Sequence, residues 1–285
     1  MQINRKIAML AAIGAMVSCQ GGASLAKYLF PCVGANGATT LRVGIAAVLM
    51  LAAFRPKIRK LSAEQWKRIV LYGLSVIAMN LVFYHALESV PLGVSVTVEF
   101  IGPLSLALIF SRRPLDFLWT ALAVVGIVLI VPWSRGTGDA QLSGIIWAIG
   151  AGVGWAFYIL ATNYVTRITD TKDAAPLGMT VAALVSFPFA FASGGIYNFN
   201  ADIFLPALGV AVFSSALPFT FELIALKELP EKTFSITLSI EPAIAALSGA
   251  LILHEMLSPL QLVAMCCVIV ASAGSALTSH SENMV

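Results

Sequence analysis

The stretch GVSVTVEFIGPLSLALIF, residues 93–110, is apolar from end to end except at Glu99, with Gly102-Pro103 close behind it. It is long enough to cross a hydrocarbon core of about 30 Å, which takes roughly 17 to 25 residues. A carboxylate at the centre of a bilayer costs about 3 kcal/mol on insertion scales and more in simulations. Acids placed there are rare; they face a bundle interior or a water-filled cavity and mark routes for ions or substrates. What Glu99 means therefore depends on whether its surroundings are a bilayer.

The composition says that they are. Of 285 residues, 59% are hydrophobic and 11% charged, and the mean hydropathy is +0.91. Soluble domains carry about 25% charged residues. A chain this oily has too little polar surface to face water, whereas lipid solvates it directly. The formal net charge is +3, with the basic residues spread along the chain, so no nucleic-acid partner is implied. Cys19, Cys32, Cys266 and Cys267 show no metal-ligand spacing and no disulfide framework, and read as small packing residues. Arg5-Lys6 followed by an apolar run and SLAK (residues 24–27) resembles a secretory leader. The run is about twenty residues, long for a leader, and many more follow, so it reads as a first membrane span.

Spans are expected near 7–26, 37–54, 66–88, 92–110, 114–132, 143–162, 175–192, 203–225, 232–254 and 259–279. With the N-terminus in the cytoplasm, the inner segments carry fourteen Lys and Arg, including Arg55, Lys57, Arg59, Lys60, Arg112 and Arg113, and the outer ones only Lys27 and Arg135. That asymmetry places both termini inside. IGAMV (13–17) recurs as IGAGV (149–153), and ALESVP (86–91) recurs as ALKELP (225–230). At the second offset, 139, Pro103 also meets Pro242. A repeat of five spans must enter the membrane from opposite sides, the build of many secondary transporters. The expected fold is thus an all-α integral membrane protein, ten transmembrane helices as two inverted five-helix repeats, residues 1–138 and 139–285. Such a pair suffices as a monomer, with a homodimer as the alternative.

Polar residues inside the spans give the candidate site. Glu241 stands immediately before Pro242 in the repeat partner of the Glu99 span, and the repeat brings it within three residues of Glu99, on the same helix face. Arg42 is placed about five residues from the outer end of its span, where it either snorkels outward, pairs with a Glu, or holds a substrate carboxylate. Glu222 lies near the inner end of its span and either reaches the interface or joins the other acids. Asn80 and Tyr84 share a face of the third span, Gln20 lies in the first, and Trp155 and Tyr158 follow one another at helical spacing in the sixth. Each is either packing or cavity wall. His85, Lys27 and Glu255 are expected at the interface. Phosphate-binding loops, nucleophile motifs and His-Glu-x-x-His pairs are absent from the sequence, so neither an enzyme nor a cofactor or metal is expected.

Several segments carry a resemblance: QGGASLAK (20–27), VPLG (90–93), EFIGPL (99–104), SRRPLDF (111–117), WAFYIL (155–160), LPFTFELIAL (217–226), LPEKTF (229–234) and IEPAIAALSG (240–249). Together they resemble the ten-span EamA-type branch of the drug/metabolite transporter superfamily, and within it exporters of small amino acids in the bacterial inner membrane. The resemblance implies export of small neutral amino acids of the threonine or homoserine type from the cytoplasm. It also matches Arg42, Glu99, Glu222 and Glu241 to polar positions of that branch. The family usually has Leu-Gly-Glu where this chain reads Leu253-His254-Glu255, and the bulkier His is expected to disturb a close helix contact.

On that basis the expected mechanism is alternating access coupled to proton antiport. Arg42 would bind the substrate carboxylate, Glu99 or Glu241 the ammonium, and Glu99, Glu241 and Glu222 would exchange protons, because desolvation favours the neutral carboxyl. Gln20, Asn80, Tyr84, Trp155 and Tyr158 would complete the substrate site. The partners are then a small amino acid, protons and membrane lipid. The alternatives are an exporter of another metabolite or drug (a purine, an aromatic amino acid, a cationic compound) and an uncoupled uniporter or channel.

Overall fold

The computed structural model describes residues 5–110, 114–130 and 139–278. Arg112, Arg113, Arg135 and the expected boundary at residue 138 lie outside them. The helices are α1 (Arg5–Lys27), α2 (Phe30–Phe54), α3 (Ala63–Ser89), α4 (Leu92–Glu99), α5 (Ile101–Phe110), α6 (Pro114–Ile130), α7 (Asp139–Thr166), α8 (Thr171–Ala192), α9 (Ala201–Ala211), α10 (Leu217–Glu228), α11 (Glu231–Leu238), α12 (Glu241–Leu253) and α13 (Pro259–Thr278). Among the described residues, nine helical stretches are long and apolar enough to cross a membrane. They are α1, α2, α3, α4 with α5, α7, α8, α9 running into α10, α11 with α12, and α13. The apolar α6 is 17 residues long.

Helix ends follow local chemistry. Ser62 and Gln65 form a reciprocal capping box at the start of α3, and Asp170 and Asn200 cap α8 and α9. The second helix starts earlier than the apolar pattern suggests, at Phe30. Pro31 sits in its first turn, where a missing N–H costs nothing, and the bend at Gly34 (φ 68°, ψ 172°) is absorbed within it. Arg42 is therefore at the midpoint of α2 and far from its outer end, which removes the snorkelling alternative. His254 closes α12 in the left-handed conformation (φ 56°, ψ 29°) and is exposed. Its expected effect on helix packing is thus corrected: a glycine there relieves backbone strain at a C-cap and makes no close contact.

The packing pairs distant segments. Helix α3 runs along α7 and α1 along α10; α2 packs on α8, α6 on α13, α1 on α12, and α5 on α7. These pairs exchange among themselves when α1–α6 is swapped for α7–α13. Helices α4 and α11 share a further feature: they start after Pro91 and Pro230 and stop at Phe100 and Ser239, all at the offset of 139. Their caps have nearly the same backbone angles, φ −58° and ψ 149° at Pro91 against φ −56° and ψ 142° at Pro230.

Where α5 crosses α7, a side chain on Gly102 would place its Cβ 2.0 Å from the Gly152 carbonyl oxygen. Gly44, by contrast, has open space around it. Gly102→Val should cost about 1–3 kcal/mol and lower the melting temperature in detergent by several degrees, while Gly44→Ala leaves it unchanged. Equal melting of the two variants would contradict the crossing.

Candidate functional site

The site grows from one irregular turn. Between α9 and α10, residues Val212–Ala216 form a π-helical turn, in which the Leu217 N–H bonds the Val212 carbonyl. An α-helical Ser214 carbonyl would accept from residue 218, but that residue is Pro218, which has no N–H. The Phe213 and Ser214 carbonyls are both taken up by other helices. Ser18 on α1 donates its hydroxyl to the Phe213 oxygen at 2.6 Å, and Arg42 donates Nη2 to the Ser214 oxygen at 3.3 Å. Gly22 permits the approach of α1, since a Cβ there would lie 2.6 Å from the Ser214 nitrogen.

Arg42 makes two further hydrogen bonds, Nε to Ser215 Oγ at 3.2 Å and Nη1 to Tyr84 Oη at 3.3 Å. Its guanidinium carbon stands 5.4 Å from the centre of the Tyr84 ring, and Tyr84 is fully buried. All three acceptors are neutral. The guanidinium is held in place by hydrogen bonds and stacking, with its charge left unneutralised by direct contact.

The acids sit at the helix breaks. Glu99 is the last residue of α4 and Glu241 the first of α12, on the N-terminal end of a helix whose dipole favours a negative charge. Gln20 donates Nε2 to Glu241 Oε1 at 2.8 Å. Glu99 is 8% exposed, and among the described residues its carboxylate has no hydrogen-bond partner. Both Arg42 and Glu241 are within electrostatic reach of it. Glu222, half-buried on α10, interacts with Glu241 and with the paired rings of Tyr72 and Tyr158, whose centroids are 5.7 Å apart. Cys19 feels the charges of Arg42, Glu241, Glu222 and Glu99 alike. One cation and three carboxylates thus share one interior, an arrangement with acceptors to spare.

Of the other expected residues, Trp155 packs edge-on against Phe100 at 5.1 Å, bracing the break after Glu99. Asn80 is buried but spends its amide N–H on the Val76 carbonyl of its own helix at 2.7 Å, so no bond joins it to the cluster. His85 is outside the cluster. It bonds Glu88 at 3.0 Å and Asn36 at 3.1 Å in a cavity of about 410 Å³ at the Gly34 bend. Lys27 and Glu255, at helix ends, form an ion pair of 2.6 Å. Ser18, Ser214 and Ser215 escaped sequence reasoning; the one signal was Pro218, four residues after a serine in an apolar span. Among the described residues no cluster of three or more His, Cys, Asp or Glu is placed to hold a metal.

The sequence model of the EamA-like transporter family matches residues 142–277. The threonine/homoserine exporter RhtA of Escherichia coli (strain K12) is 42% identical over 271 residues, covering 95% of this chain and 92% of its own. The chain belongs to the EamA-like transporter family. RhtA of Salmonella typhimurium (strain LT2) matches at the same identity and coverage. A protein of known crystal structure, 19% identical, shares the fold over 96% of this chain and 98% of its own, with a TM-score of 0.62. This EamA-like chain is accordingly a multi-pass membrane protein whose relatives are named as exporters.

Replacing Arg42 leaves the Ser214 carbonyl and the Ser215 and Tyr84 hydroxyls without their donor. Arg42→Met should destabilise the protein by about 1–3 kcal/mol. Arg42→Lys should recover only part, because an ammonium cannot span Ser215, Tyr84 and the Ser214 carbonyl together. Melting of the purified variants in detergent checks both, and an Arg42→Met protein as stable as the parent would refute the network.

Proposed function

We propose that this chain exports small neutral amino acids of the threonine or homoserine type from the bacterial cytoplasm across the inner membrane. In this reading it is a secondary transporter working by alternating access and proton antiport. The observation that carries the reading is the Arg42 guanidinium, fixed mid-membrane by neutral groups only, within reach of the unpartnered Glu99. A zwitterion brings one carboxylate and one ammonium, and these two groups offer one partner for each. The name of the RhtA relatives supports the substrate class.

The architecture proposed is ten spans, with α6 as the fifth, in two inverted five-helix halves and with both termini cytoplasmic. Three observations support it. The partner helices exchange when the halves are swapped, α4 and α11 share their bounds at an offset of 139, and the family model covers only α7 to α13. Helices interrupted at corresponding places in two halves are the usual surroundings of a midplane transport site.

In the mechanism, Arg42 binds the substrate carboxylate and the acids bind the ammonium. An acid that holds a proton cannot also hold the ammonium as an ionised partner, so substrate and proton alternate on the same groups. Glu99 and Glu241 are the principal exchangers, with Glu222 continuing the path toward the inner end of α10.

Two measurements test this. Cells overproducing the protein should accumulate threonine or homoserine in the medium and tolerate excess of either; an unchanged medium would overturn the substrate class. In proteoliposomes, Glu241→Gln should abolish the pH dependence of amino-acid exchange. Exchange that keeps its pH profile in that variant would exclude antiport through Glu241.

A further inference from the structure

Gln20 holds an atom that the charge-based reading leaves unused. The residue is 4% exposed on α1, and its side-chain oxygen Oε1 is buried without a hydrogen-bond partner. The reason lies in its neighbour. An ionised carboxylate offers only acceptors, so the amide must turn Nε2 toward Glu241, at 2.8 Å, and its oxygen away. Of the donors nearby, Arg42 gives three of its five N–H groups to Ser215, Tyr84 and the Ser214 carbonyl, and Ser18 bonds the Phe213 carbonyl; among the described residues none is within hydrogen-bond distance of Oε1. The remaining charged groups of the cluster, Glu99 and Glu222, are acceptors when ionised, and the Cys19 thiol points its weak donor at the Ser214 carbonyl at 4.0 Å. Among the described residues, Oε1 is thus an acceptor at which no hydrogen is directed.

A buried acceptor left without a donor is unfavourable, and whatever supplies the donor gains the difference. The acceptor is neutral. An ammonium is drawn first to ionised Glu99 or Glu241, and a carboxylate to Arg42. What remains for an uncharged oxygen is an uncharged donor. We propose that Gln20 Oε1 accepts the side-chain hydroxyl hydrogen of the substrate, making Gln20 the residue that separates hydroxyl-bearing amino acids from their hydrocarbon isosteres. This rests on the export reading above and goes beyond it, since threonine and valine present the same two charges and nearly the same shape. A purely apolar pocket distinguishes such a pair weakly, whereas a site built around a hydrogen bond to the hydroxyl rejects the analogue lacking it far more strongly. An analogue without the hydroxyl leaves this acceptor unpaired in the bound state, and the unpaired acceptor is the penalty.

The test is competition against labelled threonine exchange in proteoliposomes of the full chain. In the parent protein, unlabelled threonine should compete on the order of a hundredfold better than valine, or more. In Gln20→Met, of similar length but without the amide, that ratio should shrink to about tenfold or less, whatever happens to the absolute rate. A parent protein that carries threonine but is blocked equally by valine overturns the inference and leaves the export reading standing. So does a Gln20→Met ratio equal to the parent's. A parent that carries no threonine overturns both. Should Gln20→Met fail to fold, the parent's threonine-to-valine ratio decides alone.

Discussion

Arg42 stands at the midpoint of an apolar helix, half-buried, and several neighbouring groups are arranged around its guanidinium. Five N–H groups need acceptors, and in a hydrocarbon environment only the protein can provide them. Carboxylates would satisfy the need but would also neutralise the charge. The chain instead offers a serine hydroxyl, a tyrosine hydroxyl and a backbone carbonyl. That carbonyl is available because Pro218 cannot donate to it, so the irregularity supplies an acceptor for the guanidinium. Glu99 then remains close enough to feel the positive charge without being consumed by it.

The same economy governs the acids. A break in a membrane helix exposes backbone groups, and such breaks are tolerated only where protein or a cavity surrounds them. Helices α4 and α11 break at matching positions, and an acid stands at each break: Glu99 before Phe100, and Glu241 after Ser239 and Ile240. The two acids are not at equivalent positions. One ends a helix and the other begins one, so only Glu241 gains from a helix dipole, and only Glu241 has a hydrogen-bond partner, Gln20. The matching breaks thus put the two carboxylates in different surroundings.

Much of this was legible from residue types and spacing. Charge scarcity and apolar run length gave the membrane class, and the offset of 139 located α4 and α11 as counterparts before any helix end was known. Glu99, Glu241 and Arg42 stood out because charge is conspicuous in an apolar run. The misplacements have physical causes. Pro31 and Gly34 look like a linker, yet proline fits a first helical turn and Gly34 only bends α2, so the depth of Arg42 was set wrongly. Ser214 and Ser215 were invisible because serine is common in membrane helices, and what matters about Ser214 is its carbonyl, which no side-chain reading reports. His254 was judged by its bulk when its backbone angle decided the matter.

A set of contacts at one end of the bundle joins these parts. Lys27 pairs with Glu255 and donates to the Val90 carbonyl, while the other Glu255 oxygen accepts the Leu92 N–H. Those contacts tie the end of α1, the start of α4 and the chain just after α12. The same three helices carry Gln20, Glu99 and Glu241. Gln20 and Glu99 each lie about 10 Å along their helices from the tie, at 1.5 Å per residue. The ion pair that holds this end together is only partly shielded, with 19% and 17% side-chain exposure.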